Sequence, residues 1–161
     1  MSSSPDLTRV GEYRLRRKAD GAIIGRNWFE DRSLLPKLIV VHDASLDDRI
    51  EAATRWTWTP SNTFSTADQP SGSLKLLGWV AGPHEGKIKA HHYDEWIDGG
   101  ARGAQVELIT CQPGGYLICH IVRGEKRFWG ISSAADDVKA HIIPVNSNDA
   151  VTFTLENITP A

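Results

Sequence analysis

The chain has 161 residues, a formal net charge of −2 and 40% hydrophobic residues, so one domain can bury a core without disulfides or metals. The nearly balanced charge argues against nucleic acid or an anionic membrane as a partner. The first residues show no basic segment followed by an apolar run, and no apolar run approaches the roughly 20 residues that span a bilayer. We therefore expect a single soluble, cytoplasmic and monomeric domain over residues 1–161.

Most of the chain consists of short runs of alternating polar and apolar residues, broken by Gly, Pro, Asn and Asp, which is typical of β-strands. The clearest interior strands are predicted at residues 22–25, 38–41, 87–91, 128–132 and 141–145. Helical periodicity is confined to residues 43–54, with a weaker candidate at 134–139. The composition and periodicity therefore predict an all-β chain.

Internal repeats indicate which all-β fold to expect. Segments of the form Gly-x-apolar-x-apolar begin at Gly11, Gly72 and Gly114, and closing strands follow the alanines at 53, 104 and 150. Three sets of four short strands, over residues 11–62, 72–113 and 114–158, predict a β-trefoil with pseudo-threefold symmetry, because one such repeat cannot bury its own apolar face. A β-sandwich is the alternative fold.

The predicted core is made of the apolar residues in the opening and closing strands of the three blocks. These residues are Tyr13, Leu15, Trp58, Leu74, Leu76, Leu108, Ile118, Phe153 and Leu155.

The two cysteines, Cys111 and Cys119, flank a predicted turn. They are too few for a disulfide framework and lack the spacing of a structural zinc site. An opposed pair on a hairpin has the separation a disulfide needs. In a reducing cytosol, however, we expect two free and mostly buried thiols.

Catalytic constellations are not evident in the sequence. His91 and His92 precede Asp94 and Glu95, but adjacent residues of a strand point to opposite faces, so both histidines cannot easily bind one ion. No Gly-x-Ser-x-Gly nucleophile elbow, phosphate-binding loop or acidic metal loop is present. The sequence therefore predicts a protein that is not an enzyme and that needs no metal or cofactor.

Binding through a loop fits the composition better, because a rigid β frame commonly carries its functional residues on its connections. The segment 25–37 lies between two predicted strands and mixes basic, acidic and aromatic residues. Segments 61–71 and 146–149 are more typical of ordinary polar turns. The candidate binding residues of the first loop are Arg26, Asn27, Trp28, Phe29, Glu30, Asp31 and Arg32.

Arg26 is the residue of this loop that a trypsin-like protease would recognise, because the specificity pocket of such enzymes contains a buried carboxylate. The neighbouring Asn27 can hold a turn through its amide, and Pro36 restricts the backbone where the loop ends. Glu30, Asp31 and Arg32 could brace the loop through charge-assisted hydrogen bonds. The alternative is a surface loop with weak ion pairs and no partner.

Three segments carry a family resemblance: YRLR at 13–16, GRN at 25–27 and EDRSLLPK at 30–37. They resemble the mushroom β-trefoil protease inhibitors, in particular the cospin-like serine protease inhibitors. The resemblance is concentrated in the first 40 residues. It implies that the loop between the second and third strands binds a trypsin-like serine protease through Asn27. It also implies a role in defence against animals that feed on the fruiting body.

Two further activities occur in proteins of this kind. Relatives that block cysteine proteases use loops matching residues 18–21 and 81–86, but neither segment here shows the pattern of those loops. Ricin-B-type lectins carry Gln-x-Trp near each repeat end. Here the matching positions hold Trp56 and Trp58 without the Gln in the first block, and Val106 and Phe153 in the others. A carbohydrate-binding lectin stays the main alternative function.

Overall fold

The computed structural model describes residues 5–27, 33–43, 45, 48–61, 69–111, 114–133 and 139–159. Within these residues the chain forms twelve strands and one short α-helix, α1 (Asp48–Ala53). The first set of strands is β1 (Gly11–Arg17), β2 (Ile23–Arg26), β3 (Lys37–His42) and β4 (Trp56–Pro60). The second set is β5 (Ser71–Leu76), β6 (Trp79–His84), β7 (Lys87–His91) and β8 (Val106–Cys111). The third set is β9 (Gly115–Val122), β10 (Glu125–Ile131), β11 (Ile142–Val145) and β12 (Phe153–Asn157).

The first and fourth strands of each set close into a six-stranded antiparallel barrel. Hydrogen bonding runs from β1 to β4, β5, β8, β9 and β12, and β12 pairs with β1 to complete the ring. The second and third strands of each set form hairpins, β2–β3, β6–β7 and β10–β11, at one end of the barrel. This arrangement is a β-trefoil, and the fold prediction is confirmed.

The pairing register shows which residues of the three repeats are equivalent. Leu15 faces Leu155, Leu74 faces Trp58, and Ile118 faces Leu108. Within the first repeat, Gly11 faces Trp58. The residue of the second repeat that is equivalent to Trp58 is Leu108. Gly72, however, faces Val106, which lies two residues before Leu108 on β8. The repeated glycine is therefore displaced by two residues in the second repeat, although the closing strands match.

The core fills the barrel and the space beneath the hairpins. All the predicted core residues are buried except Leu155, which is half-buried and packs against the core. Trp56, Trp58 and Trp129 are also fully buried, and the Trp129 ring lies 5.8 Å from that of Trp56 and 6.0 Å from that of Phe153. Truncating one of these tryptophans to alanine should therefore cost about 3–5 kcal/mol of stability.

Several sequence predictions differ from the structure in detail. The helix predicted at 43–54 begins only at Asp48, and residues 134–138 of the weaker candidate lie outside the described residues. Strand β6 was not predicted because Gly82 and Pro83, both poor strand residues, interrupt its pattern. The predicted repeat limits at residues 62 and 113 also lie outside the described residues and stay predictions. Among the described helices, none is long and apolar enough to cross a membrane.

Candidate functional site

The connection between β2 and β3 covers residues 27–36, whereas the equivalent connection between β6 and β7 is only Glu85 and Gly86. The first repeat therefore carries a long connection of ten residues where the second has a tight turn of two. The structure describes Asn27 and residues 33–36 of this loop. Five of the predicted binding residues lie outside the described residues, and their roles stay predictions: Trp28, Phe29, Glu30, Asp31 and Arg32.

The side chain of Arg26, the last residue of β2, lies on an aromatic ring of the second repeat. Its guanidinium carbon is 4.4 Å from the centroid of Trp79, a cation–π contact worth roughly 0.5–1 kcal/mol at an exposed site. The Trp79 ring packs at 5.2 Å against His92, which in turn meets Tyr93 edge-on at 4.6 Å. We call Trp79, His92 and Tyr93 the aromatic ridge. Arg26 thus links the start of the loop to this ridge.

The backbone at the start of the loop is held by a buried histidine. The Nε2–H of His42 donates to the carbonyl oxygen of Arg26 at 2.9 Å, and its Nδ1 lies 3.3 Å from the Nζ of Lys139. Because an ammonium group only donates, Nδ1 is the acceptor and the proton resides on Nε2. The peptide that joins Arg26 to Asn27 is therefore fixed by residues of the first and third repeats.

Close packing also positions β2 just before the loop. A Cβ atom on Gly25 would lie 2.5 Å from the carbonyl oxygen of Ala53 and 2.5 Å from Cγ2 of Thr54, the residues at the end of α1. Such distances are far shorter than a carbon contact allows, and the carbonyl belongs to the backbone. Glycine is therefore required where β2 approaches α1, and this approach helps to fix the strand.

The end of the loop is held by Lys37, which is buried although it is charged. Its Nζ donates to Oγ of Ser33 at 3.1 Å, and the backbone N–H of Leu35 donates to the same oxygen at 3.4 Å. The backbone of Lys37 pairs with Ala90 of β7. The start of the loop is thus held by contacts to all three repeats, and its end by pairing with the second.

Two further aromatic side chains of the second repeat are exposed. Tyr93 of the ridge is 48% exposed, and the nearby Trp96, which meets His84 edge-on at 6.0 Å, is 41% exposed. Exposed Tyr and Trp are enriched where proteins contact one another. Sequence reasoning missed the ridge because its residues lie far along the chain from the loop. The density of aromatic and histidine residues between 79 and 96 was the available signal.

His91, the last residue of β7, and the adjacent His92 lie in different environments, as the opposite orientation of neighbouring strand residues predicts. His91 is buried, its Nε2–H donates to the carbonyl oxygen of Gly82 at 3.0 Å, and burial lowers its pKa to about 4. His92 is exposed, and its ring packs against that of Trp79 at a tilt of 55°. No group of three or more His, Cys, Asp or Glu side chains in the described part of the chain is placed to hold a metal ion.

Both cysteines are free thiols. Cys111 pairs with Gly115 across the hairpin, while Cys119 pairs with Glu107, so the two are not opposite one another. Burial raises the pKa of Cys119 to about 11. A thiol of this kind stays protonated and is a poor nucleophile.

The two tryptophans at the position of the lectin signature are buried. Trp56 and Trp58 lie wholly in the core and donate to the backbone carbonyls of Ile24 and Leu7, each at 2.9 Å. They therefore cannot form a sugar platform at the surface.

Residues 81–86 form the end of β6 and a tight turn. Segment 146–149 includes a short 3-10 helix, and residues 62–68 of segment 61–71 lie outside the described residues.

Comparison with known proteins gives structural neighbours without close sequence relatives. No family model matches the chain, and no curated protein matches its sequence. A proteinase inhibitor from Coprinopsis cinerea superposes with a TM-score of 0.60 and 22% identity, over 93% of this chain and 99% of that one.

The designed threefold-symmetric protein ThreeFoil gives a TM-score of 0.60 at 13% identity, over 92% of this chain and 99% of that one. A Polyporus squamosus lectin, bound to a sialylated epitope, gives 0.58 at 9% identity, over 93% of this chain and 50% of that one. These likenesses establish the β-trefoil fold.

Proposed function

We propose that this chain inhibits trypsin-like serine proteases by inserting the loop at residues 25–37 into the protease active site in a substrate-like manner. The observation that carries the proposal is the extended β2–β3 connection, attached at both ends through Arg26, His42 and Lys37. The Coprinopsis cinerea neighbour, a proteinase inhibitor of the same fold, supports a protease as the partner. The sequence resemblance of the loop further supports a cospin-like inhibitor.

An attached loop suits inhibition for an energetic reason. Binding a flexible segment costs roughly 0.5–1.5 kcal/mol for each side chain that must be ordered. A loop whose ends are already fixed loses less freedom on binding, so a standard interface of about 1,600 Å² can suffice for tight inhibition. The barrel thus supplies rigidity, and the loop supplies recognition.

The contacts at the start of the loop favour Asn27 over Arg26 as the residue that enters the specificity pocket. Arg26 belongs to β2, its side chain lies on Trp79 and its carbonyl oxygen is bonded to His42. To reach a protease pocket, its guanidinium would have to leave Trp79. Asn27 is the first residue beyond the strand. We therefore assign recognition to Asn27 and a positioning role to Arg26.

Titration of trypsin with the purified chain tests the proposed function. We expect stoichiometric inhibition at micromolar concentration or below, measured by hydrolysis of a chromogenic substrate. Full trypsin activity with the chain in large excess would contradict the proposal. A panel that includes chymotrypsin and papain then shows whether inhibition is confined to proteases with a carboxylate in the specificity pocket.

The roles of the two residues are separated by Asn27→Ala, Arg26→Ala and Trp79→Ala. Asn27→Ala should weaken inhibition at least tenfold, about 1.4 kcal/mol, and by more than Arg26→Ala. If Arg26 acts through Trp79, the double variant Arg26→Ala/Trp79→Ala should be no weaker than the worse single variant. Additive losses, or a larger loss from Arg26→Ala than from Asn27→Ala, would instead place Arg26 in the pocket.

A further inference from the structure

A cavity of about 540 Å³ lies away from the β2–β3 loop, between the 3-10 helix Gly100–Ala104 and the turn that joins β9 to β10. Its volume falls in the range of small-molecule sites, about 300–1,000 Å³. Three glycines form part of its wall. The side chains that line it are those of Arg102, Gln105, Glu107, Ile121 and Arg123.

The cavity carries an excess of positive charge. Arg102 and Arg123 both line it, and neither forms an ion pair with any residue that the structure describes. Glu107 already has a cationic partner, since its Oε2 lies 3.8 Å from the Nζ of Lys126. The acidic group is thus balanced, whereas the two guanidinium groups are not. Guanidinium groups bind carboxylate and phosphate oxygens through charge-assisted hydrogen bonds.

The backbone around the cavity is held in place. The buried His120 donates from Nδ1 to the carbonyl oxygen of Gly103 at 2.9 Å. A Cβ on Gly103 would lie 1.9 Å from the carbonyl oxygen of Asp98, so this position accepts only glycine. On the opposite wall, Arg123 and Gly124 have φ values of 53° and 80° and form a two-residue hairpin turn. Both arginines therefore project from tightly defined backbone.

The remaining lining groups indicate what the anion should carry. The amide of Gln105 donates and accepts hydrogen bonds, and the carboxylate of Glu107 accepts them. Because Lys126 already balances the charge of Glu107, a neutral hydroxyl is a better partner for this carboxylate than a second cation. Ile121, 41% exposed, adds a small apolar surface. We propose that this cavity binds a small hydroxylated anion, an acidic sugar of the uronate or sugar phosphate class.

Isothermal titration calorimetry on the intact chain tests the site with four probes: glucuronate, glucose 6-phosphate, glucose and acetate. We expect saturable binding of at least one of the two acidic sugars, and at least tenfold weaker binding of glucose and of acetate. Preference for glucuronate or for glucose 6-phosphate distinguishes a carboxylate from a phosphate ligand. Because the interaction is electrostatic, affinity should also fall as salt is raised.

The matched variants are Arg102→Ala/Arg123→Gly and Arg9→Ala/Lys75→Ala. Glycine suits the positive φ of residue 123, so the first variant should fold at least as well as the parent. The second removes the same charge from exposed positions outside the cavity. We expect at least a tenfold loss of acidic-sugar binding in the first and none in the second.

Three results would overturn the proposal: no saturable binding of either acidic sugar, equal losses in the two variants, or acetate binding as tightly as the sugars. Equal losses would indicate a response to net charge alone. Tight acetate binding would indicate a site for the anionic group without the hydroxylated ring. Trypsin inhibition is independent of each of these outcomes.

Discussion

At the scale of single residues, two buried histidines make the stability of the molecule depend on pH. His91 and His120 are buried, each donates one ring N–H to a backbone carbonyl, and burial lowers the pKa of each to about 4 from the ordinary value of 6.5. Both are therefore neutral in the folded state. The Nε2 of His120 makes no hydrogen bond within the described part of the chain, so protonation there would add a buried charge that no hydrogen bond at Nε2 stabilises.

The depressed pKa values predict acid destabilisation. The contribution of each histidine is fully present above pH 6.5 and is lost as pH falls towards 4, because the unfolded chain binds the proton first. Each should remove about 1.4 kcal/mol per pH unit from the free energy of unfolding, or roughly 2 kcal/mol by pH 5. Denaturant unfolding at pH 7 and pH 5 measures this loss. The hydrogen bond from Arg17 lowers the pKa of Asp20 to about 2, so Asp20 titrates below the pH range of this comparison.

The control replaces each histidine by a side chain that keeps its N–H donor but takes up no proton in this pH range. Asn at position 120 matches the donating Nδ1 of His120, and Gln at position 91 matches the donating Nε2 of His91. The variant His91→Gln/His120→Asn should lose stability at pH 7 yet show a much smaller change between pH 7 and 5. Equal stability of the parent chain at the two pH values would refute the assignment.

Under the proposed function residue 27 enters the specificity pocket, so its side chain should determine how tightly the chain binds trypsin. An asparagine amide offers only neutral N–H donors to the carboxylate of the trypsin pocket. A lysine offers an ammonium group, so both partners of the hydrogen bond are charged. Asn27→Lys should therefore strengthen trypsin inhibition about tenfold or more. Inhibition constants for the parent, Asn27→Lys and Asn27→Ala check the order. Weaker inhibition by Asn27→Lys would indicate that residue 27 lies outside the pocket.

At the scale of elements, the tight hairpin turns show where the backbone is strained. The turn between β5 and β6 consists of Leu77 and Gly78, both with positive φ, 54° and 82°. A leucine in the left-handed region costs roughly 1–2 kcal/mol, and its side chain, 45% exposed, recovers little through burial. Asn-Gly is the sequence that such turns favour.

Leu77→Asn should therefore stabilise the protein by about 1 kcal/mol, which raises the melting temperature by roughly 2–4 °C in a domain of this size. Gly78→Ala is the control of opposite sign. A Cβ at Gly78 meets nothing within 4 Å, so its destabilisation would reflect backbone conformation alone. Calorimetric melting of both variants provides the check. A lower melting temperature for Leu77→Asn would show that Leu77 makes a contact worth more than the strain.

The strands show which features of the fold can be predicted from the sequence. Alternating apolar residues in the barrel strands, such as Tyr13 with Leu15 and Leu74 with Leu76, are local signals and were read correctly. Strand β6 was missed because Gly82 and Pro83 hide its alternation. The displacement of Gly72 by two residues is visible only in the pairing register. Local patterns therefore reveal strands better than they reveal how strands align.

At the scale of the whole molecule, the candidate site depends on contacts between repeats. Arg26 meets Trp79 of the second repeat, and His42, which holds the Arg26 carbonyl, is near Lys139 of the third. Sequence reasoning could place the loop between two strands because that is a local property. It could not anticipate the partners of Arg26, because they are distant in sequence and adjacent only once the three hairpins assemble.

The closed barrel also implies that the loop is dispensable for folding. None of the six barrel strands includes a residue between 27 and 36, and the second repeat completes the same hairpin with Glu85 and Gly86 alone. Replacing residues 27–36 by Asn-Gly should therefore leave a folded trefoil. Shortening a loop lowers the entropy cost of closure, which offsets part of the lost contact between Ser33 and Lys37. Circular dichroism and thermal melting establish whether the shortened chain is folded.

The most direct test of the account compares trypsin inhibition by the parent chain with that by the folded chain in which Asn-Gly replaces residues 27–36. We predict stoichiometric inhibition by the parent at micromolar concentration or below, and none by the shortened chain at a concentration about a hundredfold higher, a difference of at least roughly 2.7 kcal/mol. Inhibition that survives removal of the loop, or a parent chain that leaves trypsin fully active, would contradict it.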